Sequence, residues 1–478
     1  MPANQRYNVV FIMTDQQSLN QLRCYGSPWM HTPNLDRLAA SGCRFNWAFT
    51  TTPVCTPARA GLFTGMYASS AGASCNEEPG YRTTQFLGQI VGAHGVAPGY
   101  IGKWHLNGLE GGYYGNGKPD GGFLPEYWYD GRRFINDVGE AGFKMWYAGK
   151  DLSDGDCWGT RVADRAVRFI ERHHDRPFLL VASFDEPHGP SSAPERFYDL
   201  YKGTKRPWQP NMGDRLDAKK PAVHFAYKEM KQKGGYVPDG QDPNNNLRYY
   251  GCVSFADEQI GRILDAIDRC CPQNTAVIFT TDHGDMQGAH TMTGKGPVMY
   301  EESIRVPLLV RVPGVTAPGS TCDALISQIH LAPTVCRLLG VPPHPQFQGR
   351  SLEPLLRDPN AAWDEAVFLE YGRFGISHDN HWGFVPSRTI RTRRHKLVLN
   401  LCDKDELYDL AEDPGEIHNR IDDPSLAEVR NQLHDRLLAW MDDRMDPLRG
   451  QGWYGRAWRP GLRLDPFAER MKKHASTQ

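Results

Sequence analysis

Apolar and polar positions divide this chain into short unbroken apolar runs and longer amphipathic stretches. NVVFIMTD (Asn8–Asp15) is apolar almost to its end and then closes on an acid, the pattern of a strand buried on both faces. RPFLLVASFDEPHGP (Arg176–Pro190), TAVIFTTDHGD (Thr275–Asp285) and IRVPLLVRVPG (Ile304–Gly314) repeat the apolar run, and PGYIGKWHLNG (Pro98–Gly108) holds a shorter one ending near Lys103. Between them the apolar period becomes helical. TPNLDRLAASG (Thr32–Gly42) has Thr32 placed as a cap and Gly42 as a stop. WGTRVADRAVRFIERHH (Trp158–His174) is amphipathic, and NNLRYYGCVSFADEQIGRILDAIDRC (Asn245–Cys270) reads as one long helix. Strand and helix in alternation predict an α/β fold: a large, mostly parallel sheet flanked by helices.

After about Pro359 the pattern changes. AVFLEYG, SRTIRTRRHKLVLNL and DELYDL are short strand patterns with little helix between them, followed by a helix over Pro424–Met441. The expected division is therefore a large unit over 1–360, a smaller C-terminal α+β domain with an antiparallel sheet over 361–446, and a tail over 447–478 rich in aromatic and arginine residues. Trp453, Tyr454 and Trp458 alternate with arginines there, and we expect the tail to pack across the larger unit or a neighbouring subunit. Residues 108–142 and 201–246, rich in Gly, Tyr, Asp, Lys, Pro and Asn, read as long surface excursions.

Composition narrows the function classes. At 478 residues with a formal net charge of -2, the chain gives no electrostatic case for nucleic acid or an anionic membrane. No apolar run is long enough to span a bilayer, and the N-terminus lacks the features of a signal peptide. The 11 cysteines are odd in number and scattered. Both points lead to the expectation of a cytoplasmic enzyme.

Four strand patterns end in ionisable residues: Asp15 with Gln16, Lys103 with His105, Asp185 with His188, and Asp282 with His283 and Asp285. A lone Asp after a strand is ordinarily a turn or a cap, but in an open parallel sheet the carboxyl ends of the strands share one rim, where ligands bind. Asp15, Gln16 and Asp282 are oxygen donors suited to a hard divalent cation, with His283 as a further ligand. Arg59, Lys103, Lys295, His105 and His188 are cationic or proton-transferring, which together with a metal implies an anionic substrate. Cys55 precedes Pro57 at the start of a helical run, where a helix N-terminus attracts anions. It reads as the nucleophile, against the alternatives of a buried structural cysteine or a thiolate paired with histidine. A soft thiolate is a poor match for a hard-oxygen metal site.

CTPARAGLFTG (Cys55–Gly65) resembles the signature of the formylglycine-dependent (type I) sulfatases, which belong to the alkaline phosphatase superfamily: C-x-P-x-R followed by L-x-T-G. FIMTDQQ, HTPNLDRLAASG, YIGKWHLNG, DEPHGP, TTDHGD, GKGPVMYEESIRVPLLV and DELYDLAEDPGEIHN also resemble family segments, in family order, from about Asn8 to Asn419. Overall the chain is similar to uncharacterised bacterial sulfatases without a signal peptide. The resemblance implies that a formylglycine-generating or maturase enzyme reads Cys55, Pro57 and Arg59 and oxidises Cys55 to formylglycine, whose hydrate offers the metal an oxygen and so removes the mismatch. It places Asp15, Gln16, Asp282, His283 and the modified Cys55 on the metal. Arg59 holds the modified residue, and Lys103 and Lys295 grip the sulfate. His105 is the base that releases the enzyme from its covalent stage, and His188 is the acid near the leaving oxygen. Many family members have two adjacent acids at Asp15-Gln16 and Asn at His283. Calcium is the family's usual ion, and the imidazole brings Mn2+ into consideration beside Ca2+, with Mg2+ a further hard candidate.

The implied reaction is a double displacement. One diol oxygen attacks sulfur, Lys295 or His188 protonates the leaving alcohol, and His105 deprotonates the second diol oxygen so that sulfate leaves. The expected substrate is a small-molecule or oligosaccharide sulfate, carbohydrate or aryl. Asn76, Arg373, His378 and Asp379 are the candidate substrate-binding residues, and aromatic residues give weak support for a sugar ring. Two alternatives stand beside this reading. One is a phosphonate monoester or phosphodiester hydrolase on the same scaffold, some of which share the Asp-Gln pair. The other is a non-catalytic binder of sulfated ligands.

Overall fold

The computed structural model describes residues 6–204, 206–207, 209–233, 247–375, 383–450, 452–453 and 455–459. Seven strands form the main sheet: β1 (Asn8–Asp15), β2 (Cys43–Phe49), β3 (Ala97–Gly102), β4 (Phe178–Pro187), β5 (Thr275–Thr281), β6 (Arg305–Arg311) and β7 (Ser320–Ser327). Their order is β3-β4-β1-β5-β6-β2-β7. β1 pairs in parallel with both β4 and β5, β3 with β4, and β2 with β7, whereas β6 runs antiparallel to its two neighbours. The sheet is thus mostly parallel. β6 is reversed because it follows β5 without the long crossover helix that a parallel return requires.

Every residue of β1 is buried. Val9, Phe11 and Met13 belong to the apolar layer shared with the helices Cys55–Thr64 and Leu331–Leu339. Val10 and Ile12 belong to the opposite layer, with the helices Pro33–Ser41, Trp158–His173 and Leu247–Cys270. The alternation of strand side chains gives each layer one face, and helices on both faces explain the unbroken apolar runs. The Asn34 and Leu35 amides at the start of Pro33–Ser41 donate to the Asp257 carboxylate of the long helix, at 3.0 and 2.8 Å. Thr32, expected as the cap, instead accepts from the Arg23 amide at 3.1 Å.

A second sheet of β8 (Ala366–Tyr371), β9 (Ser387–Thr392), β10 (His395–Asn400) and β11 (Glu406–Asp409) is antiparallel throughout, in the order β11-β10-β9-β8. The helix Ala427–Asp443 covers one face through Leu433, Leu437 and Met441. Val367, Leu369 and Tyr371 join Phe49, Val54 and Leu325 of the larger unit in another apolar cluster.

Three expectations change. The 108–142 excursion ends in a helix, Gly131–Ala148, bent at Gly139 where φ is 71°. Within 201–246 the described part includes a helix, Ala222–Lys233, and buries Lys220, His224 and Tyr227, so it is not a surface loop throughout. The described part of the tail packs mainly on the smaller sheet and its helix, in an apolar cluster that also includes Tyr67 and Ile329 of the larger unit. Trp453 is fully buried and its carbonyl accepts from His434 Nε2 at 2.8 Å, while Trp458 Nε1 donates to Asp405 at 2.8 Å. Tyr454 lies outside the described residues.

Candidate active site

The helix Cys55–Thr64 is buried at every position and begins with its thiol facing the strand ends. Its start is pinned from two sides. The Thr56 amide donates to Asn76 Oδ1 at 3.0 Å, and Thr56 Oγ1 donates to the His105 carbonyl at 2.7 Å. One turn along, Arg59 occupies the centre of the site with no solvent exposure. Its Nη2 lies 2.8 Å from Asp15 Oδ2 and its Nε 3.0 Å from Asp282 Oδ2, while Nη1 donates to the Lys103 carbonyl at 2.7 Å and Ser183 Oγ at 3.0 Å. Four acceptors contributed by four strands and the turns after them meet one guanidinium, a use of its fixed donor fork that lysine cannot reproduce.

Ligating atoms of Asp15, Cys55, Asp282 and His283, all buried, lie within 4.8 Å of one another. Cys55 Sγ is 3.2 Å from His283 Nε2 and 3.9 Å from Asp15 Oδ1. The Gly284 carbonyl, 2.9 Å from His283 Nδ1, accepts that nitrogen's proton and leaves the Nε2 lone pair facing the cluster. Two carboxylates and an imidazole lone pair in one dry pocket form a donor set that fits a divalent cation. Burial, followed by the charge of Asp15, pushes Asp282 up to about 6. Burial and Asp15 also push Cys55 upward, but Lys295, Lys103 and His283 outweigh them and bring the thiol down to about 6. Gln16, at φ 62°, bonds its amide nitrogen to Asp285, and its amide oxygen accepts from Lys295 Nζ at 2.6 Å.

A cationic and imidazole ring surrounds this cluster. Lys103 Nζ forms ion pairs with Asp15 at 2.8 Å and Asp185 at 3.1 Å. Burial, then the charges of Lys103 and Arg59, hold His105 well below the usual histidine range. Its Nδ1 is buried with no hydrogen-bond partner among the described residues. Burial, then Lys295 and Lys103, do the same to His188. Both shifts favour the neutral imidazole.

The structure thus brings together Asp15, Gln16, Cys55, Arg59, Lys103, His105, His188, Asp282, His283 and Lys295. Asn76 is buried, and its side-chain oxygen is engaged at the start of the Cys55 helix. Arg373 is half-buried after β8, near enough to Cys75 to influence it electrostatically. His378 and Asp379 lie outside the described residues. Sequence reasoning missed Tyr113, whose hydroxyl donates to Asp185 and lies 2.8 Å from His188 Nδ1. It also missed Ser183 and Thr56 as supports of Arg59 and the helix start. The only sequence signal for Tyr113 was its place in a Gly-rich excursion beside the motif of Lys103.

The chain also matches known proteins. The Sulfatase family model matches residues 7–341, and the model "N-sulphoglucosamine sulphohydrolase, C-terminal" matches residues 288–443. The chain is 37% identical over 470 residues to the uncharacterized sulfatase YidJ of Escherichia coli (strain K12), covering 96% of this chain and 92% of that one. Among solved structures, BT4656 in complex with its substrate D-glucosamine-2-N,6-O-disulfate superposes with a TM-score of 0.75 at 23% identity, covering 92% and 99% of the two chains. The phosphonate monoester hydrolase of Agrobacterium radiobacter superposes with a TM-score of 0.76 at 24% identity, covering 92% and 96%. These two show the shared fold. No helix among the described residues is long and apolar enough to cross a membrane. The family match over most of the chain, together with the relative matched from end to end, assigns the protein: it belongs to the sulfatase family and is a sulfatase.

Proposed function

We propose that this sulfatase cleaves an organic sulfate monoester, carbohydrate or aryl, to an alcohol and inorganic sulfate, using a formylglycine derived from Cys55. The observation that carries the reading is the placement of Cys55 against Asp15, Asp282 and His283, with Arg59, Lys103 and Lys295 around it. The converted residue supplies an oxygen nucleophile in place of a thiol. Asp15, Asp282 and His283, with Gln16 beside them, hold the divalent ion, for which Ca2+ is the first candidate and Mn2+ or Mg2+ the others. That ion supplies Lewis-acid polarisation and charge neutralisation. Lys103 and Lys295 bind the sulfate oxygens, where negative charge is held through the transition state. His188 or Lys295 delivers a proton to the leaving alcohol oxygen. His105, whose Nδ1 has no hydrogen-bond partner among the described residues, takes the proton that allows sulfate to depart.

Cys55 and Arg59 are 1% and 0% exposed, so a converting enzyme must read this segment before the fold closes over it. A sugar sulfate is the favoured substrate class, in line with the disulfated glucosamine bound by BT4656. A second reading, hydrolysis of a phosphonate monoester or phosphodiester, is favoured by the neutral Gln16 beside Asp15 and is in line with the fold shared with a phosphonate monoester hydrolase. The mass of the Cys55 peptide, together with kcat/KM on an aryl sulfate and on an aryl phosphonate monoester, tests both readings. A converted Cys55 with faster sulfate turnover supports the first. Faster phosphonate turnover supports the second, and an unconverted, inactive chain leaves only a binder of sulfated ligands.

A further inference from the structure

Tyr113 contacts the groups at two adjacent strand ends. Its hydroxyl donates to Asp185 Oδ1, and its oxygen lies 2.8 Å from His188 Nδ1. Its ring sits 3.6 Å from the Lys103 ammonium, centroid to nitrogen, and packs against the His105 and His188 rings at 5.2 and 5.0 Å. The chain turns to bring it there. Gly112 and Gly115 have φ of 52° and 82°, and a Cβ at Gly115 would meet Asp130 Oδ2 at 2.4 Å. Only glycine meets both demands at that position.

The proton inventory of this contact has one solution. The Gly189 carbonyl, 2.7 Å from His188 Nδ1, can only accept, so Nδ1 carries the hydrogen. Tyr113 donates its own hydroxyl hydrogen to Asp185 and therefore accepts from the same Nδ1–H. Nε2 is left as the nitrogen that can face substrate. When Nε2 is protonated, the imidazolium is linked through the Tyr113 hydroxyl to the Asp185 carboxylate.

We propose that Tyr113 is a positioning residue that couples the protonated His188 ring, whose tautomer the Gly189 carbonyl sets, to Asp185, so that His188 can deliver a proton to a poor leaving group. The proposal rests on the reading of His188 as the leaving-group acid. Other groups acting on that ring are Lys295, Lys103 and Asp15, besides Asp185 and the Gly189 carbonyl, and Tyr113→Phe leaves all of them in place.

The test compares Tyr113→Phe, His188→Ala and the double variant in the full, formylglycine-bearing chain. The probes are 4-nitrophenyl sulfate and an unactivated alkyl sulfate. Tyr113→Phe keeps the ring over Lys103 and removes only the hydroxyl. Expected are an alkyl sulfate kcat/KM lowered about 10- to 100-fold and an aryl sulfate rate within about 3-fold of the parent. The basic limb of the alkyl sulfate pH profile should move to lower pH, and the double variant should be little worse than His188→Ala alone. If His188→Ala is selective for the poor leaving group and Tyr113→Phe is not, the Tyr113 assignment is overturned while the reading of His188 stands. If His188→Ala slows both substrates equally, the reading of His188 fails and the proposal fails with it. Should Tyr113→Phe not fold, 15N-histidine NMR of the parent chain decides. A His188 protonated at Nδ1 is expected, and an Nε2–H tautomer overturns the proposal.

Discussion

Cys55 Sγ faces His283 Nε2 across 3.2 Å, and the other nitrogen of that ring is engaged by its neighbour's carbonyl. The thiol thus lies where an oxygen would complete the donor set. Cys55→Ala removes that group and little else. It should abolish sulfate release while changing stability by about 1 kcal/mol or less, a small truncation by comparison with the loss of a large core side chain. Thermal unfolding and sulfate release on the same preparation check this, and an active Cys55→Ala enzyme would refute the nucleophile.

Arg59 holds Asp15 and Asp282 together as a fully buried charge group. Arg59→Ala leaves Asp282 without its arginine partner and Asp15 with Lys103 alone, and should cost about 3–5 kcal/mol. Arg59→Lys keeps the charge but cannot reach Asp15, Asp282, Lys103 and Ser183 at once. It should therefore recover only part of the stability and none of the activity. Denaturant unfolding of both variants measures the difference, and full rescue by lysine would show that charge alone matters here.

Much of this arrangement was legible because it follows from strand geometry. A strand buried on both faces reads as an apolar run, and its first ionisable residue marks the carboxyl end. Asp15, Lys103, Asp185 and Asp282 were found in that way. β2 and β7 were missed because Arg44 and Asn46 interrupt one, and Asp323 lies in the exposed, alternating half of the other. The Gly131–Ala148 helix was hidden by Gly131, Gly139 and Gly142, which read as loop. Tyr113 reaches the site through long-range packing of a glycine-rich loop, and no local period records such a contact.

Removing the divalent ion should abolish activity and also lower the unfolding temperature, because Asp15 and Asp282 lose a further shared counter-charge beside Arg59. A ligand at 100 times its dissociation constant stabilises by about 2.7 kcal/mol. Titrating Ca2+, Mn2+ and Mg2+ into chelator-treated protein, read by unfolding and then by turnover, should show one ion restoring both. An unchanged unfolding curve after complete ion removal would reject the donor set. Inorganic sulfate or phosphate should inhibit competitively, and Lys103→Ala or Lys295→Ala should weaken that inhibition.

Glu186 is buried beside Asp185, and these two effects in that order push its carboxyl up to about 8. Its Oε1 accepts from the Gly159 amide at 2.9 Å, while Oε2 has no hydrogen-bond partner among the described residues. The folded state therefore keeps a proton that the unfolded chain releases near its ordinary value of 4.5. Stability from this group is complete below that value and declines as pH rises toward about 8, by at most about 1.4 kcal/mol per pH unit. Glu186→Gln should make the protein more stable than the parent at pH 8 and flatten the decline. Denaturant midpoints at pH 5, 6.5 and 8 test it, and parallel curves for the two proteins would show that Glu186 does not titrate across this range.

His105 separates the two halves of the proposed reaction. It is 7% exposed, sits at φ 57° just after β3, and its backbone carbonyl is tied to Thr56 at the start of the Cys55 helix. Such a residue in the left-handed region is held by its surroundings rather than by its own preference. Its Nδ1, with no hydrogen-bond partner among the described residues, is open to take up a proton. In His105→Ala the alcohol-releasing step retains its nucleophile, its cationic sulfate grip and its leaving-group acid. The variant should therefore release close to one equivalent of alcohol per converted chain and then stop, with the sulfuryl group kept on the protein. Rapid-mixing kinetics would record the burst, and intact mass would record the added group on the peptide containing residue 55. Slow steady release with no burst and no mass gain would place His105 in the first step or outside the chemistry altogether.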